Sequence, residues 1–346
     1  MKKIEILESK SFAIKEVEKP TLKENEVLVK VNFIALCGSD LHLYEGTYGG
    51  PKNYPITFGH EWSGEVVAIG SEVKKFQIGD NVTGDCSKYC GECDNCKIDK
   101  NLCLYIEKFG ITIDGASAEF IVREERYLYK FEESLDSKLA ALTEPISVSA
   151  NLIARVNKIS GSFKNKKVLV LGLGGIGLGA IFILKNHYNC QTVYATDISV
   201  KRKGIAQKMG AEIVQIDARK REDNYSNLYL ADGYDVIIET TGSKSVFPTT
   251  LELINPHGVI GCLGMLPAVE IPQKLIVLKA ITLLGSIGGT GSFETVLDLM
   301  KKFPEQVNHI ISHILPVVDN ESLKDAFHIA ENSDESVKVL LDISKI

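Results

Sequence analysis

Four cysteines lie close together in a chain that has eight. They are separated by two, two and six residues: Cys90, Cys93, Cys96 and Cys103. Four thiolates at short spacing can fill the tetrahedral coordination of one Zn²⁺, which leaves no position for a substrate. Such an ion orders a stretch of chain that buries little apolar surface by itself. The spacing therefore predicts a structural zinc site, and the chemistry must occur elsewhere.

A fifth cysteine, Cys86, precedes this group by four residues. Two interpretations stay open for it. It is either a spare zinc ligand or a small, buried apolar side chain, and the second role is the more typical of an isolated cysteine.

A second set of potential metal ligands lies nearer the N-terminus. Cys37, Ser39 and His42 fall within six residues, and His60 and Glu61 follow later. A thiolate, a neutral imidazole and a carboxylate together can hold a catalytic Zn²⁺, which keeps one exchangeable position. Cys37 or His60 alone would more often be a core residue, but their combination with the neighbouring hydroxyl and carboxylate favours a metal.

The third ligand of this catalytic zinc is open between two carboxylates. Glu61 directly follows His60, and Glu144 lies in the sequence Thr143-Glu144-Pro145, near the predicted domain boundary. Either could bind the metal directly or through water.

A glycine-rich turn follows the apolar run at 167–171. Its residues are Gly172, Gly174, Gly175, Ile176 and Gly177, in the pattern G-x-G-x-x-G. After a buried strand and before a helix, this pattern is typical of dinucleotide binding, because the glycines allow the backbone to approach a pyrophosphate at the helix N-terminus.

An acidic residue supports this interpretation. Asp197 ends the next predicted strand, twenty residues after Gly177, at the spacing of the carboxylate that binds an adenosine ribose. A carboxylate there favours NAD, because it would repel the 2′-phosphate of NADP. Arg202 is either an adenine-stacking residue or solvated helix surface. Thr241 and Ser286, near later strand ends, either line the nicotinamide pocket, which we favour, or belong to purely structural turns.

The surrounding elements indicate how these residues are held. Up to about residue 145 the chain has short β-rich runs broken by glycine, proline and asparagine. Between 147 and 288, apolar strands alternate with helical stretches, which predicts a parallel sheet covered on both faces. We therefore expect an α/β protein with a doubly wound Rossmann domain at 147–288, and a catalytic, zinc-binding β domain at 1–146 that is completed by 289–346.

Composition excludes several functional classes. The formal net charge is −6, and the basic runs 201–203 and 219–221 are short, so they predict solvated surface and no nucleic-acid site. The N-terminus has no apolar export segment, and no run of eighteen apolar residues predicts a membrane span. We expect a cytoplasmic protein, whose reduced thiols favour metal binding over disulfides.

Nearly the whole chain resembles the zinc-dependent medium-chain alcohol and polyol dehydrogenases, such as the sorbitol, threonine and aminocyclitol dehydrogenases. The segments that carry this resemblance are 37–42 (CGSDLH), 59–64 (GHEWSG), 79–82 (GDNV), the four cysteines, 114–119 (DGASAE), Glu144-Pro145 and the glycine fingerprint. One departure is the last cysteine gap, which holds six residues where the family usually has seven.

The resemblance implies a GroES-like β-barrel for the catalytic domain. It also implies that Cys37, His60 and Glu144 bind the catalytic zinc, with Glu61 as a carboxylate that can exchange onto it. Ser39 is the implied acceptor of the substrate proton, and His42 is the outer relay group. The implied reaction is hydride transfer from a secondary alcohol to NAD with formation of a ketone, and the implied assembly is a homodimer or homotetramer.

The substrate and the activity leave alternatives. We favour a polyol, sugar or cyclitol alcohol, including aminocyclitols, over oxidation of an amino alcohol as in L-threonine 3-dehydrogenases. A zinc-free quinone or enoyl reductase on the same fold and a dinucleotide-binding redox sensor are the rival classes. Four residues are candidates for either the substrate pocket or the core: Tyr44, Trp62, Phe109 and Ile287.

Overall fold

The computed structural model describes residues 1–216, 224–266 and 268–346, which form two compact units. Unit 1 comprises Met1–Ser147 and Gly288–Ile346, and unit 2 comprises Val148–Ile287. The basic run 219–221 lies outside the described residues. In the described parts of the chain, no helix combines the length and the apolarity needed to cross a membrane.

The N-terminal part of unit 1 is mainly β-structure. Its elements are β1 (Lys2–Glu8), β2 (Ser11–Glu16), β3 (Glu26–Ala35), α1 (Gly38–Glu45), β4 (Ile56–Thr57), β5 (Glu61–Ile69), β6 (Asn81–Gly84), β7 (Ser87–Lys88), α2 (Asp94–Ile98), β8 (Glu107–Lys108), β9 (Phe120–Glu124), β10 (Leu128–Phe131), α3 (Ser137–Ala140) and the start of α4 (Thr143–Ser160). A small sheet has the order β2-β1-β4, and β7 pairs with β8. The residues 87–108, from β7 to β8, contain the four cysteines and are called the four-cysteine lobe.

Unit 2 contains the parallel sheet that the alternating pattern predicts. After α4 it comprises β11 (Val168–Leu171), α5 (Gly175–Asn186), β12 (Val193–Thr196), α6 (Val200–Lys208), β13 (Glu212–Ile213), α7 (Tyr225–Leu228), β14 (Tyr234–Glu239), α8 (Phe247–Leu253), β15 (Ile254–Cys262), α9 (Gln273–Leu278) and β16 (Thr282–Gly285). The sheet order is β13-β12-β11-β14-β15-β16, with every pair parallel. Numbered within the sheet, this is the 3-2-1-4-5-6 order of dinucleotide-binding folds, which confirms the predicted fold class.

Burial explains why the central strands were recognisable. All four side chains of β11 are fully buried, as expected for a parallel strand covered on both faces. Strand β13 is short: it is an edge strand that pairs with β12 at two residues.

The C-terminal segment returns to unit 1 and completes its larger sheet. It comprises α10 (Phe293–Lys302), α11 (Pro304–Asn308), β17 (Ile311–Pro316), α12 (Asn320–Glu331) and β18 (Lys338–Asp342). The sheet order is β10-β6-β5-β3-β18-β17, and β9 also pairs with β3. Strand β18 runs antiparallel to β3, so residues from the two ends of the chain meet in one sheet.

Candidate metal and cofactor sites

The four sulfurs of the four-cysteine lobe surround one point. The Cys90 Sγ lies 3.5 Å from that of Cys103 and 3.9 Å from that of Cys96, and the Sγ atoms of Cys93 and Cys103 are 3.9 Å apart. Tetrahedral zinc with Zn–S bonds of about 2.3 Å needs sulfurs about 3.8 Å apart. The six-residue gap before Cys103 therefore allows this sulfur to join the group.

Backbone amides stabilise thiolates in this group. The N–H of Cys90 and that of Tyr105 each donate to the Cys103 Sγ at 3.3 Å, and the N–H of Cys93 donates to the Cys90 Sγ at 3.4 Å. A hydrogen bond from the backbone at Leu104 is the main factor that lowers the pKa of Cys93 to about 6. Because thiolates are the metal-binding form, the lobe fits a zinc ion.

Cys86 lies outside this group. It is buried in the apolar core of unit 1, and its thiol donates to the Phe109 carbonyl at 3.8 Å. Burial raises the pKa of Cys86 to about 12. The structure therefore supports the small, buried side chain and not the spare ligand of the lobe.

A second donor group forms where α1 approaches the start of β5. One ligand atom each from Cys37, His60 and Glu61 lies within 4.8 Å of the others. The fully buried Asp40 joins the two chain segments, because its carboxylate accepts the N–H of Cys37 at 2.9 Å and that of Gly59 at 3.3 Å. Sequence analysis missed Asp40, which carries no signal apart from its place between Cys37 and His42.

The His60 ring lies between Ser39 and Asp40. Its Nε2 lies 3.4 Å from the Ser39 Oγ, and its Nδ1 lies 3.7 Å from an Asp40 oxygen. This Nδ1 is buried and has no hydrogen-bond partner among the described residues. Burial by itself would lower the pKa of His60. The neighbouring Cys86, Asp40 and Cys37 raise it by more than burial lowers it, so this pKa lies well above its ordinary value. An imidazole between a carboxylate and a cluster of anionic donors is the arrangement seen around zinc, so these residues fit the ion.

Both candidate carboxylates are buried near this group. Glu61 is one of the three clustered donors, and its two oxygens each accept a hydrogen bond of 2.5 Å from the Nζ of the buried Lys338. Glu144 is not part of the cluster. Burial raises its pKa to about 7, with the charges of His60 and Lys338 acting in the opposite direction. Lys338 was missed by sequence analysis, because it lies 277 residues from Glu61.

The two predicted proton-transfer residues lie on α1. The Ser39 hydroxyl is next to His60, as described above. His42 is exposed, and its Nδ1 lies 2.9 Å from the Thr47 hydroxyl. The helix therefore has a hydroxyl beside the donor group and an imidazole in contact with solvent.

The glycine fingerprint forms the turn between β11 and α5. Gly172 has a φ of +87°, and a Cβ at Gly177 would lie 1.9 Å from the Gly172 carbonyl oxygen. A Cβ at Gly174 would instead point into open space, 4.0 Å from the nearest atom, an Arg202 guanidinium nitrogen. The helix begins at Gly175, so its free amides face this space, which fits a pyrophosphate.

The Asp197 carboxylate lies beside this turn. It accepts the Leu173 N–H at 2.6 Å and the Ser199 N–H at 2.8 Å, one on each oxygen. Each oxygen keeps a further lone pair that could accept a ribose hydroxyl.

The later strand ends supply further polar groups. The Thr241 N–H donates to Glu239 at 2.7 Å, and the Ser286 N–H donates to the Cys262 carbonyl at 3.3 Å. The buried Oγ of Ser286 has no hydrogen-bond partner within the described residues.

Three of the four pocket candidates are core residues. Trp62 is 1% exposed and Phe109 is buried against Tyr127, while the Tyr44 ring stacks on Phe12 at 4.2 Å. Ile287 is exposed. Tyr48, which the sequence analysis did not select, is half-buried near Cys86, His60 and Cys37, where burial raises its pKa.

Comparison with known proteins identifies the family. Residues 23–133 match the alcohol dehydrogenase GroES-like domain, and residues 175–302 match the zinc-binding dehydrogenase domain. The chain belongs to the zinc-binding alcohol dehydrogenase family. The resemblance inferred from the motifs is thus confirmed, and the protein is an NAD(P)-dependent alcohol dehydrogenase with zinc.

Individual members of the family match over almost the full length of this dehydrogenase. An L-threonine 3-dehydrogenase of Burkholderia mallei is 32% identical over 333 residues, 94% of each chain. A structure described as a short chain alcohol dehydrogenase of Escherichia coli CFT073, complexed with NADH, has a TM-score of 0.87 and 28% identity and covers 99% of both chains. Galactitol-1-phosphate dehydrogenase from Escherichia coli has a TM-score of 0.84 and 27% identity, covering 99% of this chain and 100% of its own.

Proposed function

We propose that this dehydrogenase oxidises a secondary alcohol of a polyol, sugar or cyclitol to a ketone and reduces NAD. The observation that carries the proposal is the donor group of Cys37, His60 and Glu61, with the Ser39 hydroxyl 3.4 Å from His60. A thiolate, an imidazole and a carboxylate leave a position for an alcohol oxygen, whereas the four-cysteine lobe does not.

The chain's own residues would divide the work as follows. Cys37, His60 and a carboxylate would hold the zinc, which would supply a Lewis acid able to lower the pKa of a hydroxyl by several units. Asp40 holds the backbone at Cys37 and Gly59 together, which keeps Cys37 close to His60. Ser39 would accept the alcohol proton as it gives up its own hydroxyl proton, and the exposed His42 would be the outer group that releases a proton to solvent.

The cofactor preference follows from Asp197. Its two oxygens are held in place by backbone amides, so the carboxylate is fixed beside the glycine turn. A free 2′-hydroxyl can donate to it, whereas a 2′-phosphate would be repelled. The pyrophosphate would bind at the glycine turn, which comprises Gly172, Gly174, Gly175, Ile176 and Gly177. Arg202 would contact the adenine, and Thr241 and Ser286 would contact the nicotinamide side of the cofactor.

One relative favours a second substrate. The 32% identity with an L-threonine 3-dehydrogenase makes oxidation of an amino alcohol the alternative. A screen of NADH formation with polyols, cyclitols, aminocyclitols and L-threonine separates the two. The proposal predicts the highest kcat/KM with a polyhydroxylated substrate, and the highest value with L-threonine would replace it. Both substrate assignments require about two zinc ions per chain, so a purified holoprotein with clearly less zinc would contradict both.

Assembly and compartment are further parts of the proposal. Strand β16 pairs with β15 on one side and is the last strand of its sheet, with Leu283 38% exposed. A strand edge of this kind can pair with its copy, which supports a homodimer or homotetramer. A cytoplasmic location fits the proposed zinc ligands, because cysteines have to stay reduced to bind the metal. Sedimentation of the purified protein tests the assembly, and a monomer would contradict it.

A further inference from the structure

Asn101 connects the four-cysteine lobe to a segment that is distant in the sequence. It lies in a short 3₁₀ helix, Lys100–Leu102, two residues before Cys103, and it is 4% exposed. Its Oδ1 accepts the Thr290 N–H at 3.1 Å, and its Nδ2 donates to the Thr290 carbonyl at 3.4 Å. The amide side chain therefore pairs with both backbone groups of a residue 189 positions away.

Two neighbours fix the geometry of this pairing. Asp99 accepts hydrogen bonds from both the backbone N–H and the Nδ2 of Asn101, each at 2.9 Å, which orients the amide. On the other side, Gly288 lies so close that a Cβ would be 2.1 Å from the Asn101 Oδ1. The chain therefore needs a glycine at position 288 to contact the amide.

The segment that Asn101 holds is where the chain leaves unit 2. Residues up to Ile287 belong to unit 2, and unit 1 resumes at Gly288. The other passage between the units, at Ser147 and Val148, lies inside the regular helix α4. The sequence 285–291 is GSIGGTG, and glycine has the largest conformational entropy to lose on ordering. The segment 285–291 therefore depends on contacts with other parts of the chain for its order, and the Asn101 amide provides two hydrogen bonds.

We propose that Asn101 is a positioning residue for the cofactor. The lobe, which a bound metal would order, holds residues 288–290 through Asn101, and this restrains the chain that directly follows Ser286 and Ile287. The inference rests on the proposed function, which places these two residues beside the nicotinamide. It gives the structural zinc a part in cofactor binding, in addition to folding of the lobe.

The first test compares two alanine variants of the lobe in the zinc-loaded protein. Asn101→Ala removes the pairing with Thr290. Asn95→Ala is the matched control, because the Asn95 amide donates to the Leu102 carbonyl at 2.8 Å, within the lobe. Hydrogen exchange of residues 286–292, the Kd for NAD and the zinc content are measured for each.

We expect Asn101→Ala to exchange amide hydrogens at 286–292 about tenfold faster and to bind NAD about fivefold to tenfold more weakly, since two partly buried hydrogen bonds are lost. The KM for NAD should rise while kcat at saturating NAD is unchanged. Asn95→Ala should match the wild type in all these measurements. Equal exchange and equal Kd in Asn101→Ala and wild type would overturn the proposal.

A second pair of variants changes the segment that contacts Asn101 and leaves the sequence of the four-cysteine lobe unaltered. Gly288→Ala pushes a methyl group against the Asn101 amide. Gly291→Ala is its control, because Gly291 also has a positive φ, +94°, but a Cβ there meets nothing within 4 Å. Gly288→Ala should weaken NAD binding and speed exchange with both zinc ions retained, and Gly291→Ala should not. Equal effects of the two would show that backbone strain alone is responsible, and would overturn the role of Asn101.

These results separate the two proposals. If the wild type binds NAD and zinc but Asn101→Ala and Gly288→Ala behave like their controls, the positioning role alone is overturned. If the wild type itself binds no NAD, the proposed function fails, and the positioning role fails with it.

Discussion

The Lys338 Nζ lies 2.5 Å from both carboxylate oxygens of Glu61, and it also donates to the Leu36 carbonyl at 3.2 Å. The ammonium enters from β18 and the carboxylate from β5, and both are buried. Each oxygen of a proposed zinc ligand is thus already engaged by a cation. This pair balances the carboxylate charge and restrains its approach to the metal.

Removal of this lysine should leave an unpaired buried carboxylate. We expect Lys338→Met to lower the free energy of unfolding by about 3 kcal/mol, the cost of breaking a buried ion pair. Adding Glu61→Gln should restore most of the loss, because the uncompensated charge is then gone. Urea unfolding of the two single variants and the double variant measures this coupling, and purely additive effects would contradict it.

Cys37→Ser should remove the catalytic metal and abolish turnover, since a hydroxyl is a poor substitute for a thiolate ligand. Zinc content should fall from about two ions per chain to about one, the lobe ion remaining. NAD binding should be unchanged. Cys190→Ala is the control, because Cys190 lies in unit 2 and is far along the chain from both donor groups. Full activity of Cys37→Ser would disprove the role of this zinc.

Gly174→Val should block the pyrophosphate, because the open space beside the glycine would be filled. We expect loss of detectable NAD binding with both zinc ions retained. Gly204→Val is the matched control. A Cβ at Gly204 meets nothing within 4 Å, and Gly204 lies on α6, outside the fingerprint. Isothermal titration with NAD measures the difference, and tight binding by the Gly174 variant would place the cofactor elsewhere.

Asp197→Ala should relax the discrimination against NADP. Without the carboxylate, the ribose loses an acceptor and a 2′-phosphate loses a repulsive neighbour, so the ratio of kcat/KM for NAD to that for NADP should fall by about tenfold or more. Steady-state kinetics with both cofactors gives this ratio. An unchanged ratio would show that another residue recognises the ribose.

Glu144 should make the stability of the zinc-free protein depend on pH. Burial raises its pKa to about 7, above that of the unfolded chain, so the folded state holds the proton more tightly. This contribution to stability is fully present below about pH 4.5 and is lost as pH rises through 7. Glu144→Gln should therefore be more stable than wild type at pH 8, by on the order of 3 kcal/mol, and equal to it at pH 4.

The control for this prediction is the zinc-loaded protein. A zinc ion next to the carboxylate favours its charged form, so the advantage of Glu144→Gln at pH 8 should shrink or reverse when zinc is bound. Denaturant unfolding at pH 4, 6 and 8 checks both states. A zinc-free difference that grows as the pH falls would have the wrong sign.

The sequence by itself determined the features that are local along the chain. The four cysteines span fourteen residues, the glycine fingerprint follows its strand directly, and Cys37, Ser39 and His42 lie on one short helix and its N-cap. Ligand spacing and strand periodicity act over such short distances, so the metal type, the dinucleotide motif and the alternating α/β pattern were all visible.

Only the tertiary structure decided which distant residues meet. Strand β18 has to pair with β3 before Lys338 reaches Glu61, and Asn101 meets Thr290 only after the chain has passed through unit 2 and returned. Trp62 likewise became a core residue through sheet packing that its own segment does not specify. Such contacts form when separate elements pack against each other, and the residue pattern within one element does not specify which distant element it will contact.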